Sequence, residues 1–172
     1  MSAPLKKVLE ERYAYTPCDV IFTGYDRAQC RPRIKKQRAG FGKVQIYYGG
    51  TVYGGKRNPF ILFEALSSSP PEVAENIEIV FAGGSLQSLR RLVLEHNLST
   101  NVRFLGTVRY EDSLAISGAS DLGLVLTWDS PLDEGSIPGK IFDFVCMRTP
   151  IIFLGYKLGA AADLIEEYRL GW

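Results

Sequence analysis

The stretch from residue 121 to residue 155, DLGLVLTWDSPLDEGSIPGKIFDFVCMRTPIIFLG, decides how the chain folds. It begins with a continuous apolar run, DLGLVLTW (121–128), and crosses a loop rich in Gly, Pro and Ser. A short apolar helix, PGKIFDFVCM (138–147), and a second continuous apolar run, TPIIFLG (149–155), follow. Strands that lack polar alternation are buried on both faces, which places them in a parallel sheet covered by helices on either side.

The same alternation runs back to Lys43. KVQIYYGG (43–50), NIEIVFAGG (76–84) and NVRFLG (101–106) read as strands. NPFILFEALSS (58–68), with Pro59 in its first turn, SLQSLRRLVLEHN (85–97) and YEDSLAISGA (110–119) read as the helices between them. GAAADLIEEYR (159–169) is a last helix. Five β-α units with short connections predict an open, doubly wound α/β sheet. Residues 1–40 are basic and helix-like around one apolar run, DVIFTG (19–24), and read as a leader or the remnant of a preceding domain or linker. Residues 41–172 form the domain, and the chain stops at LGW, where another strand is expected, so a truncated C-terminus is expected as well.

With 20 basic and 19 acidic residues the net charge is +1, which gives no basis for a bulk electrostatic grip on nucleic acid or on a membrane. Three cysteines, Cys18, Cys30 and Cys146, are few and odd in number and lack metal-ligand spacing. A reduced, cytoplasmic setting is the simplest expectation. No signal core and no membrane-length apolar run is present, and no His/Cys/carboxylate cluster suggests a metal site. His96, the one histidine, reads as a surface or helix-capping residue.

Ligands of open α/β sheets bind beyond the carboxyl ends of the strands, where strand order reverses. With an order of 3-2-1-4-5 that point lies between the first and fourth strands. Their exit loops, GGTVYGGKRN (49–58) and TWDSPLDEGSIPG (127–139), are the loops richest in glycine and charge. The first carries Gly49, Gly50, Gly54 and Gly55, then Lys56 and Arg57 before a helix start, a set suited to an anion. It matches neither a Walker loop nor a dinucleotide turn, and alone it reads equally as a solvated basic pair. In the second loop Ser136 is a candidate cap, and the amides of 136–140 are candidate anion donors. Lys140 stands at the positive end of its helix, where a cation is unfavourable unless something negative is bound. Asp143 lies one turn on, suited to the two hydroxyls of a ribose, or else to a surface pair with Lys140.

Together these residues resemble the C-terminal, nucleotide-sugar-binding half of GT-B glycosyltransferases, in particular the retaining family-4 group. Three segments carry the resemblance in order: YYGGTVYGGKRNPFILFEAL, FLGTVRYEDSLAISGASDLGLVL and SIPGKIFDFVCMRTPIIF. The resemblance covers roughly residues 40–172 and implies a Rossmann-like half of a GT-B fold. It implies that Arg57, with Lys56 beside it, holds the diphosphate of a UDP-, GDP- or ADP-sugar, and that Gly50 lets it approach. Gly106 to Val108 would border the base and Asp143 the ribose. Glu134 would lie near the sugar, and the amides of Gly135, Ser136 and Ile137 near the phosphate. Catalysis would fall to Arg57 and Glu134, with no cofactor and no required metal.

Two departures stand out. Glu134 is nine residues before Asp143 where the family places its two glutamates eight apart, and Thr51 follows Gly50 where many members carry Arg. The resemblance also implies a missing N-terminal acceptor domain, through which any peripheral membrane association would run. The isolated chain would then be a poor transferase. A non-catalytic nucleotide-sugar-binding subunit paired with a separate acceptor-domain chain, a sugar-nucleotide epimerase and a flavodoxin- or receiver-like module are the competing readings.

Overall fold

The computed structural model describes residues 2–14, 17–30, 42–53, 55–84 and 86–172. Gly54, Ser85 and the basic stretch at 31–41 lie outside them. After a first helix, α1 (Ala3–Arg12), the strands are β1 (Val44–Gly49), β2 (Ile77–Ala82), β3 (Val102–Gly106), β4 (Leu122–Leu126) and β5 (Ile151–Leu154). Between and after them run α2 (Phe60–Ser67), α3 (Pro71–Ala74), α4 (Gln87–Glu95), α5 (Tyr110–Ala119), α6 (Lys140–Met147) and α7 (Ala160–Glu167). The sheet is all-parallel in the order β3-β2-β1-β4-β5. This is the expected doubly wound α/β fold with the expected reversal. Where a further strand was expected, Gly171 forms a parallel bridge with Ile151.

Side chains alternate across a strand, so each strand feeds two cores. On one face Tyr48, Ile79, Phe81, Leu124 and Leu126 pack with Phe63 and Leu66 of α2 and Leu89 and Val93 of α4. On the other, Tyr47, Val80, Val125 and Ile151 pack with Ile141 and Phe144 of α6 and with Leu164 and Ile165 of α7. Full burial of side chains of this size stabilises by about 1.5–3 kcal/mol each. The four-residue α3 was not foreseen, because a single turn begun by Pro71 carries no period to read. Pro59 caps α2 instead of entering its first turn. His96 caps α4, and its ring meets Phe60 edge-on at 5.3 Å, tying α4 to α2.

The N-terminal residues touch the domain at specific points. No strand forms at DVIFTG (19–24). Ser2 is buried and donates from Oγ to the Gly135 carbonyl at 2.8 Å. Phe22 lies 6.5 Å from the Phe142 ring, and Cys30 is disulfide-bonded to Cys146 of α6. That pairing removes the cysteine argument for a reducing compartment. No helix among the described residues is long and apolar enough to cross a membrane.

The exits of β1 and β2 meet without side chains. Gly83 has φ +140°, and a Cβ there would fall on the carbonyl of Gly50. Gly83→Ala is expected to destabilise the fold by about 2 kcal/mol or more in urea denaturation. Gly84→Ala, facing open space, should stay within about 0.5 kcal/mol of the parent. Equal effects of the two changes would contradict this packing.

Candidate functional site at the strand-order reversal

β1 hands the chain to α2 on one face and β4 hands it to α6 on the other, so a crevice opens between their carboxyl ends. The two predicted loops meet there. Gly50 has φ +134°, a conformation that L side chains rarely adopt, and a Cβ on it would come within 3.1 Å of Lys140 Nζ, so a side chain there would strain the backbone and push the ammonium by a few tenths of an ångström. The ammonium lies 3.6 Å from the centroid of the buried Tyr48 ring. A cation over an aromatic face is attracted by the ring quadrupole. Tyr48 Oη donates to the Thr51 carbonyl at 2.9 Å, which fixes the ring and the start of the loop together.

Burial, and then the nearby Arg57, lower the Lys140 pKa to about 7, against a smaller opposing pull from Asp143. Burial likewise pushes the Tyr48 phenol up to about 12, although Arg57 acts the other way. Lys140 and Asp143 do not pair with each other. Asp143 instead accepts a hydrogen bond from Tyr110 Oη at 2.7 Å. The surface-pair reading of these two residues is thereby set aside. Both line a small cavity of about 20 Å³ with Tyr47, Ser113 and Ser117. Within this group Tyr47 Oη and Ser113 Oγ are 2.8 Å apart.

The adjacent cations part company. Arg57 is half-buried, with its guanidinium 5.1 Å from the Tyr53 ring centroid, and its field reaches Lys140 and Tyr48. Lys56 is exposed and turns to Trp128, with Nζ 4.6 Å from the ring centroid. It borders a separate cavity of about 370 Å³ with Asn58, Asp129 and Phe153. The structure therefore brings Gly50, Arg57, Lys140 and Asp143 to one crevice and aims Lys56 elsewhere.

The second loop is pinned rather than free. Its residues 131–133 form a 3₁₀ turn, Asp133 accepts from the Trp128 amide at 3.0 Å, and Ala160 donates to the Glu134 carbonyl at 2.7 Å. Ser136 is not the cap of α6. That place falls to Gly139, with no side-chain bond, because the helix starts at Lys140, three residues beyond the start that a cap at Ser136 would need; the Ser136 amide donates to the Asp133 carbonyl at 2.9 Å. Of the three amides expected to face an anion, those of Gly135 and Ile137 make no backbone hydrogen bond among the described residues. Glu134 is exposed on this loop. Gly106, φ +71°, ends β3 and accepts from the Gly83 amide at 2.7 Å, and Val108 packs on the α6-side core. Tyr48, Tyr110 and Ser113 are residues that sequence reading missed. The one available signal was the pair Tyr47–Tyr48 at a strand end, which must send one ring to each face.

Because the folded-state pKa of Lys140 is below the ordinary lysine value, the unfolded chain binds a proton that the folded chain has released between pH 7 and 10.5. Stability relative to Lys140→Met is expected to rise with pH across that window and to be level below it. Urea denaturation of both proteins below and above pH 7 tests the sign. A difference that stays constant or shrinks with pH would place the amine in water instead.

No family model matches the chain, and no curated protein sequence matches it. Its fold does match solved structures. WaaG, a glycosyltransferase involved in lipopolysaccharide biosynthesis, superposes with a TM-score of 0.72 at 16% identity, over 100% of this chain and 47% of that one. TarM from S. aureus, in complex with UDP, gives a TM-score of 0.65 at 13% identity over 100% and 32%. HepE from Anabaena, in complex with UDP and glucose, gives 0.59 at 18% identity over 85% and 40%. The chain thus spans less than half the length of each. At such identities the likeness establishes the fold: the chain has the parallel α/β fold found in these GT-B glycosyltransferases.

Proposed function

We propose that this chain is the donor-binding domain of a retaining glycosyltransferase of polysaccharide or glycoconjugate biosynthesis, and that its ligand is a UDP-, GDP- or ADP-sugar. The observation that carries this reading is the pair Lys140 and Arg57 at the β1–β4 reversal. Each lies in the field of the other, and among the described residues neither is bonded to a carboxylate. Two half-buried cations facing one crevice are unfavourable until a polyanion enters. A diphosphate supplies that charge. The UDP in the TarM and HepE structures supports the same class of ligand.

In this reading Arg57 grips phosphate oxygens through its planar fork and Lys140 adds a point charge. The amides of Gly135 and Ile137 complete the cradle. As the sugar–phosphate bond breaks, negative charge builds on the leaving diphosphate, and these fixed positive groups stabilise it there without requiring a metal. Asp143 accepts from the ribose hydroxyls, and the backbone of Gly106–Val108 borders the base. Glu134 serves the sugar from an exposed loop, one residue away from the spacing the resemblance asks for. The acceptor and the remaining catalytic groups belong to a domain across the crevice, so the isolated chain binds donor and transfers sugar poorly.

Calorimetric titration with UDP, GDP and ADP tests the reading. Binding of at least one is expected, and Arg57→Ala and Asp143→Ala should each weaken it on the order of tenfold. No binding to any of the three, or unchanged affinity in both variants, would overturn it. Rapid sugar transfer by the chain alone would sink the division of labour between domains.

A further inference from the structure

We infer that Tyr110 is a positioning residue of this site: its phenol holds the Asp143 carboxylate in the orientation that receives the two hydroxyls of a ribose. The inference rests on the donor-binding reading above. Tyr110 Oη donates to one oxygen of Asp143, Oδ1, at 2.7 Å. Among the described residues it is the one side chain that donates to that carboxylate. A carboxylate has about four acceptor positions on two oxygens. With one taken by the Tyr110 phenol, rotation of the Asp143 carboxylate is restrained, and the other oxygen is left for a ligand.

The position of Tyr110 suits this task. It opens α5, one residue after the Gly106–Val108 segment, and α5 packs against α6, which carries Asp143, on the same face of the sheet. The bond therefore joins the strand exit assigned to the base to the side chain assigned to the ribose. The phenol also remains a donor: its bond to Asp143, then desolvation and the charges of Asp143, Asp26 and Glu111, raise its pKa to about 12. Tyr110 is 51% exposed, so the bond is no strut of the core. Its consequence is orientation of a side chain already placed at the site.

The test compares UDP, GDP and ADP, each beside its 2′,3′-dideoxy analogue, on the parent chain and on Tyr110→Phe. The parent is expected to prefer the ribose form by about tenfold for the nucleotide it binds. In Tyr110→Phe that preference should fall to about twofold, with the dideoxy form bound as before and the melting temperature unchanged. A preference kept intact in Tyr110→Phe overturns the assignment while leaving the donor-binding reading standing. Equal weakening of both forms also overturns it, since Tyr110 would then serve another part of the ligand. A parent that binds nucleotide without regard to the hydroxyls removes the role of Asp143 and this inference with it. A parent that binds none of the three overturns the donor-binding reading itself.

Discussion

Strand order reverses between β1 and β4, and a parallel sheet cannot close that seam. The chain leaves β1 toward the α2–α4 face and leaves β4 toward the α6–α7 face, so no connection crosses above the two strand ends. One ammonium group lies at this seam. Lys140 reaches over the seam to the ring of Tyr48, and Gly50 yields the room. Taking an ammonium partly out of water is costly, and the π face offsets only part of that cost. The remainder appears as the lowered pKa of Lys140, sharpened by Arg57. The scaffold thus sets two cationic side chains side by side where, among the described residues, neither is ion-paired with a carboxylate, which is the property a diphosphate site needs.

The loop beside that charge is rigid, and its rigidity comes from distant parts of the chain. The amide of Ala160 and the hydroxyl of Ser2 take the carbonyls of Glu134 and Gly135 in turn. Cys30 and Phe22 bind the other side of α6 through Cys146 and Phe142. The helix that carries Lys140 and Asp143 is therefore held by residues more than a hundred positions earlier in the sequence. Preorganised donors need no rearrangement when charge develops, so a pinned loop is the form in which backbone amides are most effective.

The parallel sheet was legible in the sequence because burial on both faces writes itself into composition, whereas its strand order entered as an assumption that the structure bears out. LGLVL and IIFL admit no other placement, and glycines mark the strand ends where two chains must pass closely. The crevice followed from that assumed order, and the glycine- and charge-rich exit loops of the first and fourth strands pointed to the same place. The partners of the site residues were not legible. Lys140 lies over the ring of Tyr48 while Asp143 bonds Tyr110, contacts between separate elements that no local spacing encodes. Tyr110 sits in a helix whose pattern gives no sign of its reach to Asp143. Ser136 reads as a cap, yet the helix starts only at Lys140, with Gly139 in the cap position and no side-chain bond there. The Cys30–Cys146 bond joins residues 116 apart, a proximity that only the folded sheet creates.

The proton balance of binding bears most directly on the site. At about one pH unit above 7 the amine of Lys140 is mostly neutral in the free chain, and a bound diphosphate favours its charged form. Titration of UDP, GDP or ADP at that pH, in two buffers of different ionisation enthalpy, gives the number of protons taken up. Uptake of about one proton per nucleotide, abolished in Lys140→Met, is the expected result. Binding with no proton uptake, or with the same uptake in Lys140→Met, would show that the anion does not meet Lys140.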